Sequence, residues 1–453
     1  GIVAPGDAAP LLRDERGLYR GAAALVVRPS SVDECAKVVR VCNDARIGVV
    51  PQGGNTGYCG GATPFDGERR QILLSLARLN RVREVDDVGF TMTADAGVVL
   101  ARAQDAARER GLKFPLSMGS EGSAQIGGAL ATNAGGVAVL RYGTMRDLVL
   151  GLEVVLPSGD VLAELKGLRK DNTGYDSKAL FLGAEGTLGV ITAAVLKLFP
   201  EPRAVATAWL AVASVDAACR LLGRARRESG DQVVSAEYVS RRSLELVLRH
   251  VEGAREPLGS PAEHYVLLEL ASADDDEALR EKLTRVLATG LEAGEIVDGT
   301  LAESEAQRRA LWLLRERVPE AERREGGSVK HDISVRIGRI PEFLERAEPA
   351  LRGIGPHRLS IYGHIGDGNL HCNVLPPVGQ SSEAFRAEKG AAFSACVHDV
   401  CAALDGSFSA EHGVGILKVD ELARYESPTA LALMRALKAA LDPHGIMNPG
   451  KVL

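Results

Sequence analysis

Short apolar runs alternate with amphipathic stretches and glycine-rich turns from Ala22 to Pro200. Ala24–Arg28 predicts a strand, Val32–Arg46 an amphipathic helix and Ile47–Pro51 a second strand. A helix over Val99–Arg110 and a strand over Leu148–Leu156 follow, the strand closed by the turn Pro157-Ser158-Gly159-Asp160. A strand over Gly189–Phe199 ends at Pro200-Glu201-Pro202, a predicted domain boundary. Beyond it, residues 204–355 are rich in Ala, Arg and Glu. Helices are expected near 214–229, 240–251, 276–293 and 300–325, with strands at Tyr265–Ala271 and Ser328–Ile337. This α+β pattern suits a lid or substrate domain. A last helix near 428–441 reads as structural, and the turn cluster Asp442 to Lys451 follows it. No repeat or low-complexity segment is evident.

The length of 453 residues exceeds one ordinary core, so two or three domains are expected. An apolar share of 45% with 25% charged residues is that of a soluble globular protein. No apolar run approaches the roughly 18 residues that span a bilayer. Gly1–Pro10 lacks the basic region and apolar stretch of a secretory leader, and Gly1 without a preceding Met leaves the true start open. The net charge of −6 argues against nucleic acid as a partner. Seven cysteines make an odd count with no CxxC pair, which fits reduced thiols and a cytoplasmic protein better than a disulfide framework. All nine histidines fall at or after His250.

Two glycine-rich stretches mark the first half. One is Pro51-Gln52-Gly53-Gly54-Asn55-Thr56-Gly57. The other runs from Pro115 through Gly119, Ser120 and Ser123, to Gly127-Gly128 and then Thr132-Asn133-Ala134-Gly135-Gly136. Glycine lets backbone N–H groups converge on a pyrophosphate because no Cβ blocks the approach, and Ser or Thr hydroxyls add uncharged donors. Tight turns alone would have the same composition. A nicotinamide Rossmann site is poorly supported, since no GxGxxG sits at the first strand–helix junction with an acidic residue about twenty positions on.

With Arg141-Tyr142-Gly143 and Ala184-Glu185-Gly186-Thr187-Leu188-Gly189, these stretches resemble the FAD-binding lobe of the vanillyl-alcohol-oxidase type, in its D-lactate and D-2-hydroxyglutarate dehydrogenase branch. The resemblance runs over nearly the whole chain. It implies an α+β protein with a two-subdomain PCMH-type FAD-binding lobe at 1–200 and an α+β substrate (cap) domain with an antiparallel sheet at 201–405. A C-terminal segment, 406–453, would return to the flavin. The residues it places on FAD are Pro51, Gly53 to Gly57, Pro115, Gly119, Ser120, Ser123, Gly127, Gly128, Thr132, Asn133, Gly135, Gly136, Arg141, Tyr142, Gly143, Glu185, Gly186, Gly189, Val190, Ile191 and Asn448. Covalently flavinylated members attach the ring through His or sometimes Cys. This lobe has no His, so non-covalent FAD is expected, with Cys59 the exception to test.

In the second half the densest signal is Tyr362-Gly363-His364-Ile365-Gly366-Asp367-Gly368-Asn369-Leu370-His371. Its Gly-Asp-Gly-Asn turn predicts His364 and His371 facing each other across a bend between two strands. Two imidazoles and one carboxylate make a common divalent-metal set with open positions, and Glu411, in Glu411-His412-Gly413, is the candidate carboxylate. Hydrogen-bonded structural histidines are the alternative. The same resemblance implies His364, His371 and Glu411 as ligands, zinc as the expected ion with manganese or iron accepted by the same set, and His412 as catalytic base.

An acid substrate needs cationic partners. The segment 300–325 offers Arg308, Arg309, Arg315 and Arg317, and only the resemblance selects Arg315, together with Lys330 and Asn373. A guanidinium binds a carboxylate by a two-point fork. Two departures affect specificity: Pro319 stands where some hydroxyglutarate-oxidising members have a hydroxyl residue, and Arg336 stands where members commonly have proline. Arg336 is a candidate for a distal substrate carboxylate. The expected activity is FAD- and metal-dependent oxidation of a D-2-hydroxy acid to the 2-oxo acid, with hydride passing to flavin N5. D-2-hydroxyglutarate leads, ahead of D-lactate and other D-2-hydroxy acids. An electron-transfer flavoprotein or quinone would re-oxidise the flavin, and a homodimer is the default assembly. The alternatives are a non-redox FAD transferase of the alkylglycerone-phosphate synthase kind and a non-catalytic flavin subunit.

Overall fold

In the computed structural model, which describes residues 1–65, 69–273 and 275–453, the chain falls into two units. The first comprises 1–136, 143–201 and 411–453, and the second 137–142 and 202–410.

Two sheets build the first unit. Strands Leu25–Val27, Gln71–Ser75 and Gly48–Gln52 form a parallel sheet, in that spatial order. The helix Val32–Ala45 packs against it through Cys35, Val39 and Cys42. Ser31 starts that helix by accepting the Glu34 N–H at 3.2 Å, and Arg46 ends it in the left-handed conformation, φ +59°. The second sheet is antiparallel, ordered Val82–Asp86, Thr91–Asp95, Val190–Lys197, Val149–Val155, Val161–Glu164. Its buried carboxylates Asp95 and Glu153 are both held by Arg83, at 2.6 and 2.8 Å. The strand expected over Gly189–Phe199 divides at Leu198, because Phe199–Pro200 turns to pair with Leu112–Lys113. The helix Pro428–Leu441 belongs to this unit, and Met447 beyond it pairs with Val49.

The second unit is one seven-stranded antiparallel sheet, ordered Ile296–Leu301, Ala204–Val212, His264–Ser272, Val233–Ser240, Arg358–His364, Asn369–Leu375, Ile333–Ser334. Side chains alternate between its faces. Ala208, Leu210, Tyr238, Leu268, Ile361 and Cys372 pack on one face, with the helices Val215–Ser229, Asp276–Glu292, Ile340–Ile354 and Ser382–Ala402. Trp209, Val239, Leu267, Tyr362 and Leu375 pack on the other, beneath the helices Arg241–His250, Glu305–Glu316 and Val318–Arg324.

Two expectations are corrected here. The helix expected over 300–325 is two helices that break at Arg317, and Pro319 sits in the first turn of the second, where its missing N–H is harmless. The strand expected over Ser328–Ile337 is real only at Ile333–Ser334, with Val329 adding an isolated bridge to Val374. The helix expected over Val99–Arg110 runs Leu100–Arg108. No disulfide forms among the described residues, and burial pushes the thiols of Cys35, Cys372 and Cys401 up to about 12.

Candidate active site

On the second face of the seven-stranded sheet, alternation lines up polar side chains among apolar ones. The hairpin Arg358–His364 to Asn369–Leu375 pairs Tyr362 with His371, and the bend between the strands is residues 365–368. Asp367 closes it by accepting the Asn369 N–H at 3.0 Å, and Gly368 turns it at φ +87°, where a Cβ would overlap the Val335 carbonyl oxygen. Tyr362 and His364 therefore share a face with His371 and Asn373. The ring centroids of His364 and His371 lie 6.2 Å apart, and those of Tyr362 and His371 4.8 Å.

Glu237 stands directly opposite His364 in the neighbouring strand and is fully buried. Its two oxygens have different partners: Oε1 meets His364 Nδ1 at 2.6 Å, and Oε2 accepts Arg315 Nε–H at 2.7 Å. Burial opposes the charge on Glu237, but the charges and hydrogen bonds of His364 and Arg315 outweigh it and hold the carboxyl below its ordinary range. Arg315 is 6% exposed, and its guanidinium lies 4.9 Å from the centroid of the Tyr362 ring. Its single hydrogen bond among the described residues is Nε–H to Glu237, so Nη1 and Nη2 keep their donors free.

A second buried carboxylate organises the other two predicted substrate contacts. Glu322 accepts Asn373 Nδ2–H at 2.9 Å, Lys330 Nζ at 3.2 Å and Ser328 Oγ at 3.2 Å. Asn373 in turn accepts the His331 N–H at 3.0 Å. A third, Glu269, seats the helix that carries Arg315: it accepts Trp312 Nε1–H at 2.7 Å and Arg308 Nη1–H at 3.2 Å.

Asp332 is a potential ligand that sequence reasoning passed over. It is 2% exposed, and one of its carboxylate oxygens lies within 4.8 Å of a His371 ring nitrogen. Asn369 Nδ2–H orients it at 2.9 Å. The signal was present in Lys330-His331-Asp332, of which only the lysine was selected. An imidazole beside a buried carboxylate is a donor set that suits a divalent cation. His331 is occupied elsewhere, by the Cys372 carbonyl at 2.6 Å and Ser394 Oγ at 3.1 Å. Arg336 is 75% exposed on its side chain and faces Asp405 at 3.6 Å, a surface pair. Ala410, the last residue of this unit, donates its N–H to the Asp332 carbonyl, and Glu411 and His412 come next in the chain.

In the first unit, Glu411 and His412 begin a loop fixed from an unexpected direction. The Glu185 carboxylate accepts the N–H groups of Val414 and Gly415 at 2.7 and 2.8 Å, and a Cβ on Gly413 would crowd the same carboxylate. Burial raises the Glu185 pKa, and those two donors oppose the rise. Glu185, expected on the cofactor, anchors this loop with its side chain and keeps its backbone for other contacts. His412 packs edge-on against Tyr58 at 4.9 Å, and its Nε2 lies 3.6 Å from Glu411 Oε1.

The glycine-rich segments of the same unit fit a dinucleotide. The N–H groups of Gly53, Gly54, Asn55, Thr56 and Gly57 make no backbone–backbone hydrogen bond among the described residues. Gly54 lies so close to the Ser123 carbonyl that any Cβ would overlap it, whereas Gly57, Gly119 and Gly128 border open space. Gln125 and Asn448 each bury a side-chain oxygen without a partner, though the Asn448 amide donates to the carbonyls of Gly61 and Glu185. Unused donors beside open glycines are what a pyrophosphate and a flavin edge require. Arg141 and Tyr142 lie in the second unit, where Arg141 donates to the Asp231 carbonyl at 2.7 Å.

Residues 23–163 match the family described as FAD binding domain, and residues 201–452 match FAD linked oxidases, C-terminal domain. A D-2-hydroxyglutarate dehydrogenase, mitochondrial, of Bos taurus is 41% identical over all of this chain and 81% of its own length. A D-2-hydroxyglutarate dehydrogenase of Xanthomonas citri pv. viticola is 40% identical over 94% of this chain and 88% of its own. The solved structure of p-cresol methylhydroxylase with substrate bound superposes with a TM-score of 0.77 at 18% identity, covering 100% of this chain and 93% of that one, and so shares the PCMH-type α+β fold. A mitochondrial relative leaves the cytoplasmic expectation without support. No helix among the described residues is long and apolar enough to cross a membrane.

Proposed function

Since the chain belongs to the FAD-linked oxidase family, in the company of D-2-hydroxyglutarate dehydrogenases, we propose that it is an FAD-dependent dehydrogenase of D-2-hydroxy acids, with D-2-hydroxyglutarate as substrate. The observation that carries this reading is Arg315: a nearly buried guanidinium whose Nη1 and Nη2 have no hydrogen-bond partner among the described residues, on the same sheet face as His364 and His371. A buried cation with two parallel donors free is matched by one carboxylate of a small acid.

When bound, the flavin supplies the hydride acceptor at N5 and a divalent metal, zinc in this proposal, supplies a Lewis acid for the α-hydroxyl. His364, His371 and Glu411 are the proposed ligands, with Asp332 beside His371 as a further carboxylate. Arg315 holds the α-carboxylate by its fork, and its stack on Tyr362 fixes the plane of that fork. Lys330 adds positive charge, and Asn373, locked by Glu322 and the His331 N–H, steadies an oxygen. His412 takes the hydroxyl proton on a ring nitrogen. The loops 53–57 and 115–136, with Gly143, Glu185, Gly186, Gly189, Val190, Ile191 and Asn448, would hold FAD without a covalent bond. The proposed electron acceptor is an electron-transfer flavoprotein or quinone, and the proposed assembly is a homodimer.

The test is anaerobic bleaching of the flavin band by a panel of D- and L-2-hydroxy acids, before and after chelation. Bleaching by D-2-hydroxyglutarate and not its L-enantiomer, abolished by chelation and restored by zinc, is the expected result. No bleaching by any acid in the metal-loaded protein overturns the dehydrogenase reading.

A further inference from the structure

We propose that Glu237 is a positioning residue that couples the metal ligand His364 to the substrate-binding Arg315, so that one buried carboxylate orients both. The inference rests on the proposed roles of those two residues; Glu237 itself touches neither metal nor substrate in them.

The geometry points one way at each oxygen. Oε1 lies 2.6 Å from His364 Nδ1, and Oε2 lies 2.7 Å from Arg315 Nε. A carboxylate is acceptor-only, so the first contact keeps a proton on Nδ1, and when the imidazole is neutral its lone pair is on Nε2. That is the tautomer able to bind a cation through Nε2, and a carboxylate on the far nitrogen also raises ligand basicity. At the other oxygen, taking Nε–H fixes the guanidinium plane and leaves the Nη1 and Nη2 donors pointing away from Glu237.

The backbone holds Glu237 rigidly between these partners. It lies in the interior of Val233–Ser240, with Leu267 opposite on one side and His364 opposite on the other. Its side chain is fully buried beside Val239, Leu267 and Tyr362, the apolar residues of that face. Both oxygens are shielded from bulk solvent, which therefore does not make good the loss of one partner. A tilt of the carboxylate that improves one hydrogen bond worsens the other, which links the two sites mechanically.

The experiment uses the FAD-loaded full chain, unaltered and as Glu237→Gln and Glu237→Asp. Zn²⁺ affinity is read by competition with a chromogenic chelator. Affinity for 2-oxoglutarate, a product that cannot reduce the flavin, is read from the flavin spectrum at saturating Zn²⁺. In Glu237→Gln the amide can accept from only one partner, so Zn²⁺ binding should weaken about 10- to 100-fold and 2-oxoglutarate binding at least about tenfold. Glu237→Asp keeps the charge but is one methylene too short to reach both partners, and should lose at least about tenfold in one of the two affinities; this variant decides the matter if Glu237→Gln does not fold. Either variant with both affinities within twofold of the unaltered protein overturns the proposal. So does a Glu237→Gln protein that loses one affinity and keeps the other, because the carboxylate then serves a single partner. If the unaltered protein binds no Zn²⁺, the metal reading itself fails and the coupling falls with it.

Discussion

Replacing Arg315 by lysine separates charge from geometry. Both side chains are cationic, but lysine offers one compact ammonium where arginine offers Nε–H to Glu237 and two further donors to a ligand. At 6% exposure, water cannot replace the missing donors. A lysine that keeps Glu237 as its partner loses one of the two charge-assisted hydrogen bonds to substrate, a loss of about 1.5–3 kcal/mol. It also loses the planar stack on Tyr362 seen at 4.9 Å, a further ~0.5–1 kcal/mol. The sum, about 2–4 kcal/mol, corresponds to a fall of roughly 30- to 900-fold in kcat/KM. The assay is steady-state oxidation of D-2-hydroxyglutarate with a dye acceptor, alongside flavin content and urea unfolding to show that the variant is folded. Because the stack and Glu237 hold the guanidinium in place before substrate arrives, the loss should appear mainly in KM. An Arg315→Lys enzyme within threefold of the parent in kcat/KM would refute the assignment of Arg315 to the substrate carboxylate.

Three other expectations follow from different parts of the molecule. His412→Ala should retain FAD in full yet be nearly inactive toward D-2-hydroxyglutarate; near-full turnover would remove it as the base. Arg83→Met should destabilise the protein to urea by about 3 kcal/mol, since it removes the shared cation and leaves buried Asp95 with Arg81 and buried Glu153 with Thr192 Oγ1 alone, whereas the triple change Arg83→Met, Asp95→Asn, Glu153→Gln should recover most of the loss. Burial alone would raise the Glu325 pKa, but Arg358, His250 and Arg249 hold it at about 2. A carboxyl depressed on folding stabilises fully above its unfolded pKa of about 4.5 and ceases to do so as pH falls through its folded value. Stability should therefore drop between roughly pH 4.5 and 2, and Glu325→Gln should flatten that part of the urea-midpoint profile; an unchanged slope contradicts the assignment.

What the sequence revealed depended on whether the determining contact was local. The hairpin carrying His364 and His371 was legible because Gly366-Asp367-Gly368-Asn369 encodes its own bend. The helices Val215–Ser229 and Asp276–Glu292 were legible from their spacing, sharpened by Ser214 and Asp275 at their starts. By contrast, Ala204–Val212 is a central strand whose alanines read as helix-forming composition; only its pairing with His264–Ser272 and Ile296–Leu301 makes it a strand. Glu237 had no local signal, since a lone Glu in Val-Val-Ser-Ala-Glu-Tyr-Val-Ser looks like a solvent-facing position until the partners distant in sequence are in place. The break at Arg317 was hidden because Pro319 is acceptable in a first helical turn, so nothing in the segment forbids a single long helix.

The pairing of Val49 with the C-terminal turn has a consequence for biosynthesis. Val49 donates to the Ile446 carbonyl at 2.7 Å and accepts the Asn448 N–H at 2.8 Å, so the edge of the strand Gly48–Gln52 is sealed by residues made almost 400 positions after it. Until then that edge offers unpaired backbone groups beside an apolar core, a template for pairing with another nascent chain. A chain cut before Ile446 would therefore leave the edge of this sheet open, and the product should accumulate as aggregate rather than as a slightly shortened protein.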